Sequence, residues 1–312
     1  KLTEAQLQRE ITQTVIGRPI NFQGLRGKES NRQAIAVLTK AAKRIGFKDV
    51  EFQYEPVAAG FEFETTLDQE TKVLVVDIGG GTSDCSMLLM GPGFRDNTDR
   101  TQHLLAHSGV RIAGNDFDIQ LALQGIMPSL GMNSLLKTNK PMPTASFYQA
   151  LAINNINEQT EFYSAKNRRD LIQLSRDAKE TAIVERLITV HDHKLSYQLV
   201  NAAEQAKIKL SEQDTQVISL NEIDDGLVTK VNKATLRQAN SRTLANIGEL
   251  MQSAVQQTQS QPDVIFVTGG TAKSPVISEY IQQQMPNIPV VIGDHFGSVT
   301  SGLARWADKI YQ

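Results

Sequence analysis

VLVVDIGGGTSDCSMLL, Val73 to Leu89, is the stretch on which the reading of this chain turns. Lys72 to Asp77 is a short, β-branched run of the kind that forms a buried strand. Asp77 closes it, where a charge can sit at the mouth of a sheet. Gly79, Gly80 and Gly81 follow. They tolerate positive φ and carry no Cβ to bar a ligand, and backbone amides displayed in such a turn form an anion-binding concavity. Beyond Thr82 the period stays at two: Cys85, Met87 and Leu89 alternate with Asp84, Ser86 and Leu88, so the chain returns as a second strand. That return separates the stretch from the dinucleotide fingerprint and the Walker loop, both of which feed a helix. Taken alone, the same residues also suit an ordinary glycine-rich hairpin with incidental acids.

A second glycine site lies at DVIFVTGGT, Asp263 to Thr271. An apolar strand again runs into paired glycines, but Ala272 to Gln284 reads as a helix. Pro275 suits its first turn, and Val276, Ile277, Tyr280 and Ile281 keep helical spacing. A strand, a Gly-Gly turn and a helix N-terminus can seat a ribose or an α-phosphate. Close strand-helix packing needs glycine equally well.

Together these segments resemble the DnaK-type heat-shock chaperone ATPases of the actin and sugar-kinase superfamily. VVDIGGGTSDCSML is similar to that family's second phosphate motif, and VIFVTGGTAKSPVI to its adenosine motif. EPVAAG, Glu55 to Gly60, resembles the first connecting segment between lobes. AGNDFDIQLA, Ala113 to Ala122, resembles the stretch opening the upper half of the second lobe. AAEQAKIKLS, Ala202 to Ser211, resembles the helix that packs on the adenine ring. The likeness spans Val15 to Ala307 and is nearest to short, YegD-like homologues without a peptide-binding half. It implies an α/β, actin-like (ribonuclease H-like) fold, with an incomplete first lobe and a complete second lobe bearing a helical insert. The implied division is 1–70 as remnant of the first lobe, 71–112 and 232–312 as the second-lobe nucleotide-binding core, and 113–231 as a mostly helical upper subdomain. A ligand would lie under that insert.

The resemblance also implies roles. Asp77 would orient magnesium through water, and Asp84 would position the attacking water or the metal. Glu55 would sit across the cleft and touch the metal's water shell. Gly79, Gly80, Gly81 and Thr82 would hold the β- and γ-phosphates. Glu204, Lys207 and Ser211 would line the adenosine pocket, and Gly114 would be a further nucleotide-binding residue. Gly269, Gly270 and Thr271 would pass the ribose and α-phosphate, with Lys273 near the base and Asp294 a further base-pocket partner. The implied cofactors are ATP or ADP and magnesium. The implied partners are a nucleotide and a protein partner or co-chaperone.

The chain departs from the family at several points. Ile208 stands where an arginine usually stacks on the base, which removes a cation–π contact. Lys273 replaces another arginine and lacks its planar fork. Pro19, in TVIGRPINF, fits the family's switch proline, but Arg18 beside it is unusual. Residues 1–70 contain only Gly17, Gly24, Gly27, Gly46 and Gly60, none in a strand-glycine-strand pattern after an acid, so the family's first phosphate hairpin is expected to be missing. Lys1 to Thr14 reads as a helix already under way, and the chain as an N-terminally truncated product whose parent hydrolyses ATP while this portion does not.

The composition is compatible with this reading. At 312 residues the length suits two domains or one bilobal domain, and 40% hydrophobic residues suffice for a core. A net charge of −2 argues against general nucleic-acid binding. No run approaches a membrane span. Cys85, the single cysteine, permits no intrachain disulfide and reads as a packing residue, compatible with a reducing cytosol and a cytoplasmic location.

Outside the motifs, Glu29 to Gly46 reads as an amphipathic helix closed by glycine, and Asp49 to Tyr54 as a strand. Pro128 to Pro143 reads as a long surface connection. Asn167 to Glu185, Leu195 to Leu210 and Lys233 to Gln257 read as helices, with a hairpin at Val217 to Leu220 and Leu227 to Val231. Asp116 reads as a helix N-cap. His191 and His193 flank Asp192 at a helix start and read as solvated surface rather than a metal pair. His103, His107 and His295 read as structural. Two functions follow: a magnesium-dependent ATPase working by in-line attack of water, or a nucleotide-sensing module that signals by lobe closure with little hydrolysis. A filament protein or a sugar kinase has no supporting motif.

Overall fold

A computed structural model describes residues 2–20, 22, 28–97, 100–293 and 297–311. It is a mixed α/β protein whose nine described strands are β1 Gln13–Arg18, β2 Asp49–Tyr54, β3 Thr71–Ile78, β4 Ser83–Met90, β5 Leu104–Val110, β6 Thr215–Ser219, β7 Val228–Asn232, β8 Val264–Thr268 and β9 Val290–Ile292. The chain forms two compact units: Lys1–Arg111 with Ile247–Ala272 and Ile281–Gln312, and Ile112–Asn246 with Lys273–Tyr280.

The first unit is organised by a mixed five-stranded sheet in the order β5-β4-β3-β8-β9. β3 runs antiparallel to β4 and β4 to β5, whereas β3-β8 and β8-β9 are parallel. Val73 to Val76 and Val264 to Val267 are buried on both faces, which is why both runs are continuously apolar rather than alternating. Val57, Val73, Val75, Leu88, Met90, Val264 and Phe266 form one core cluster. Val57 belongs to the helix Glu55–Glu64, which follows β2 directly. Its small residues are set by close approach on two sides. A Cβ on Gly60 would meet the Met90 methyl at 2.0 Å, and one on Gly302, in the helix Ser298–Ile310, would meet Ala58 O at 1.8 Å. Phe61 stacks on Trp306, with ring centroids 5.4 Å apart. β1 and β2 form a separate parallel pair.

The second unit is mostly helical and carries the antiparallel hairpin β6-β7. Its helices Gly114–Gly125 and Ser196–Lys209 pack together, and each buries apolar side chains, among them Phe117 and Leu121 on the first and Leu199 and Ala203 on the second.

Several local expectations are corrected. The N-terminal helix covers only Leu2–Leu7, because β-branched Thr14, Val15 and Ile16 pair with β2 instead. The helix expected over Asn167 to Glu185 is two, Ala165–Asp177 and Thr181–Asp192. Ala178 bridges Leu136 and Lys179 N donates to Leu135 O at 2.9 Å, so tertiary pairing breaks the run. Lys233 to Gln257 likewise divides into Lys233–Ala239 and Ser241–Thr258. The interruption is Asn240, fully buried, whose amide donates to Phe117 O and Leu236 O. The 128–143 connection is not purely superficial, since Leu130 and Met142 are buried. Asp116 lies inside its helix and accepts from Ala113 N at 2.8 Å, with Ala113 at the cap. His191 ends a helix, is buried, and is 2.8 Å from the Asp192 carboxylate.

Candidate functional site

One face of the five-stranded sheet changes chemistry along its strands. Residues two apart share a face, and the registers align them in rows. Val264, Val73 and Leu88 form one row; Phe266, Val75, Ser86 and His107 the next; Thr268, Asp77, Asp84 and Gly109 the last. The face thus passes from hydrocarbon to carboxylate towards the carboxyl ends of the parallel strands β3 and β8. Ligands of open α/β sheets bind at such ends.

The turn joining β3 to β4 is closed by Gly79 N donating to Thr82 O at 3.0 Å. None of Gly79, Gly80 and Gly81 has a left-handed φ, so the freedom expected of them is not used. Their contribution is the missing Cβ: one at Gly80 or Gly81 would meet nothing within 4 Å, and both residues are exposed. The tip of the turn is therefore open, with its backbone accessible.

The second glycine turn lies beside the first because β3 and β8 are parallel neighbours, with Asp77 opposite Thr268. Gly269 has φ +92°, and a Cβ there would meet Ile78 O at 2.3 Å and Asp77 Oδ1 at 2.7 Å. Glycine is thus required by both conformation and approach. Thr271 Oγ1 donates to Gly79 O at 3.3 Å, and Thr268 Oγ1 lies 3.1 Å from Ser298 Oγ. Two motifs some 190 residues apart in sequence form one contiguous surface.

Asp77 and Asp84 face each other across the hairpin. Burial, then the Asp84 charge, then that of Glu55 push the Asp77 carboxyl up to about 7. Burial and Glu55 push Asp84 up to about 6, against a hydrogen bond from Thr82. Glu55, at the first position of its helix, is itself raised by burial. A Cβ on Gly17 would lie 3.3 Å from its Cγ, so the glycine of β1 leaves the side chain its room. Like charges held opposite one another are unfavourable, and a cation relieves them. Among the described residues no group of three or more His, Cys, Asp or Glu side chains converges to ligate a metal directly. The facing, buried carboxylates have the chemistry to hold a hydrated cation through its water.

Burial, first, and the charges of Asp84 and Asp77 push the thiol of fully buried Cys85 up, so it acts as packing.

In the second unit, Gly114 is buried and opens the helix Gly114–Gly125. Glu204 is exposed and Ser211 half-buried. Lys207 is buried, its ammonium 2.8 Å and 2.9 Å from the two oxygens of the Asp118 carboxylate. Burial pushes Asp118 up to about 6, opposed by Lys207 and reinforced by Glu204 and Asp116. Ile208 is 53% exposed and Lys273 exposed. Asp294 and His295 lie outside the described residues.

Arg18, unusual beside Pro19, donates to Pro19 O and Ile20 O and stacks 4.9 Å over the Tyr54 ring. His107, structural by its sequence context, places its Nε2 3.6 Å from Asp84 Oδ1. The signal that finds it is the β4-β5 register, which sequence alternation alone does not supply. No helix among the described residues is long and apolar enough to cross a membrane. In a comparison with protein families, the family model described as "Hsp70 protein" matches residues 1–123 and 177–291, well over half of the chain.

Proposed function

This chain belongs to the Hsp70 family, and we propose that its glycine hairpin holds the phosphates of ATP or ADP beside a magnesium ion managed by Asp77 and Asp84. The family implies a nucleotide-binding chaperone ATPase domain. The observation that carries the finer reading is the joint surface of two glycine turns at the carboxyl ends of β3 and β8. The tip of the first is open, and the raised carboxylates lie directly beneath it. Gly79, Gly80, Gly81 and Thr82 present backbone to the terminal phosphates. Gly269, Gly270 and Thr271 pass the α-phosphate and ribose. Glu55 and Asp77 would hold a magnesium ion through its water, and Asp84 would orient the attacking water wherever hydrolysis occurs. Magnesium, when bound, neutralises the charge of the transferring phosphoryl group. For Glu204, Lys207, Ser211 and Lys273 an adenosine role, and for Gly114 a nucleotide contact, rest on the family resemblance alone.

Binding by these 312 residues is weak in this reading. Micromolar affinity needs about −8 kcal/mol, and hydrogen bonds to a charged group give roughly 1.5–3 kcal/mol each. Three or four amides, less the ordering of the ligand, leave little beyond that. Hydrolysis is negligible, since residues 1–70 contain no second glycine hairpin of this kind. Isothermal titration with magnesium-ATP checks both parts. Sub-micromolar affinity contradicts the weakness, and no binding at millimolar ATP contradicts the assignment.

A second reading, a nucleotide sensor that signals by lobe closure to a protein partner or co-chaperone, is favoured by the adenine side. Ile208 offers only apolar contact, and the Lys207 amine is already engaged by Asp118. Single-turnover hydrolysis by the full-length protein separates the readings. Protection from proteolysis by ATP without turnover supports the sensor.

A further inference from the structure

We propose that His107 is a positioning residue for Asp84: Ser86 fixes its neutral ring in the Nε2–H tautomer, and that N–H is presented to the Asp84 carboxylate. The inference rests on the reading of Asp84 given above.

Four observations carry it. His107 lies opposite Ser86 on β5, one row below Asp84 on the same sheet face. Its Nδ1 is 3.2 Å from Ser86 Oγ and its Nε2 is 3.6 Å from Asp84 Oδ1. The second distance is just beyond a hydrogen bond, as such contacts often are before a ligand tightens a site. Gly109 opposes Asp84, and a Cβ there would lie 2.4 Å from Asp84 Oδ1 and 3.5 Å from His107 Nε2. The slot through which the imidazole meets the carboxylate exists because residue 109 has no side chain. Finally, the backbone of His107 is pinned: its N–H donates to Gln257 Oε1 at 3.4 Å, and its carbonyl accepts from Gln257 Nε2 at 3.1 Å.

The tautomer follows from counting protons. Ser86 is fully buried, and its hydroxyl proton needs an acceptor. A bare Nδ1 supplies it, which leaves the ring's proton on Nε2, facing the carboxylate. The opposite tautomer orphans the Ser86 proton and sets a nitrogen lone pair against carboxylate oxygen. Burial, which lowers the imidazole's affinity for a second proton, agrees with this count.

The test uses the 312-residue chain with 15N-labelled histidine and no nucleotide. Long-range proton–nitrogen correlation is expected to show His107 protonated at Nε2; protonation at Nδ1 overturns the proposal. Replacement Asp84→Ala is expected to speed solvent exchange of the Nε2 proton about tenfold, since a charged acceptor is lost. A ring that merely packs shows no change, which also overturns it. With magnesium-ATP, His107→Phe is expected to weaken binding about tenfold, and His107→Gln, which restores an N–H, to recover most of it. Equal loss in both variants counts against positioning. If the unmodified chain binds no ATP, the nucleotide reading fails, and the tautomer still decides the contact with Asp84.

Discussion

Replacing Asp77 with asparagine is expected to stabilise this protein at alkaline pH and to do almost nothing at acid pH. In the unfolded chain the Asp77 carboxyl ionises near 3.8; in the folded protein it ionises at about 7. Below about pH 4 it is protonated in both states and has no effect on stability. Between about 4 and 7 the folded state holds a proton that the unfolded state has lost, so stability falls as pH rises. Above 7 the whole penalty is present. The separation of 3.8 from about 7 corresponds to about 4 kcal/mol at 1.36 kcal/mol per pH unit. Asparagine keeps the shape of the protonated acid and never carries the charge. Urea unfolding of both proteins at pH 8 and pH 5 measures the difference. The expected gain for Asp77→Asn is about 2–4 kcal/mol at pH 8 and about 1–2 kcal/mol at pH 5, vanishing below about pH 4. The reasoning is refuted by equal effects at the two pH values, or by a loss at pH 8. Magnesium offers a control, because it should narrow the gap at pH 8 by stabilising the unsubstituted protein alone.

Three further outcomes follow from the packing. Gly302→Ala would drive a methyl into Ala58 O, costing about 1–3 kcal/mol; thermal melting and the fluorescence of Trp306, stacked on Phe61, report it. Arg100→Ala would strand Glu64, of which only 2% is exposed, costing about 3–5 kcal/mol in urea, whereas Arg100→Met with Glu64→Gln should recover most of the loss. Lys207→Ala would leave the Asp118 carboxylate buried alone, a cost of about 3 kcal/mol at pH 8. That cost should shrink in unfolding curves taken below about pH 6, where Asp118 takes up a proton.

The hairpin was legible in sequence because its alternation is local and its glycines interrupt it at one point. The second glycine turn was legible as a turn. Its contact with the first depends on the parallel pairing of β3 and β8, and only the family resemblance implied that. What stayed hidden was non-local. Residues 178–180 carry a helical pattern, yet Lys179 N is drawn to Leu135 O. Asn240 is an ordinary surface residue by type, but its amide satisfies the Phe117 carbonyl in a buried position. The Asp118–Lys207 pair joins residues 89 apart. No periodicity indicates that a lysine assigned to a ligand has its charge met by its own fold. His107 has no ligand partner in sequence, because its neighbour in space, Asp84, is set by the pairing of β4 with β5.

The clamp of Gln257 on β5 has a consequence for life in a crowded cell. β5 is a border strand of its sheet, and unpaired peptide groups along such a border invite strands from other molecules. At His107 a single glutamine side chain supplies both the acceptor and the donor that an intruding backbone would offer. Ser108 makes a second attachment, to the carbonyl of Leu250. The helix Ser241–Thr258 thus occupies this border at His107, where it blocks an intruding strand without adding a further strand to the sheet.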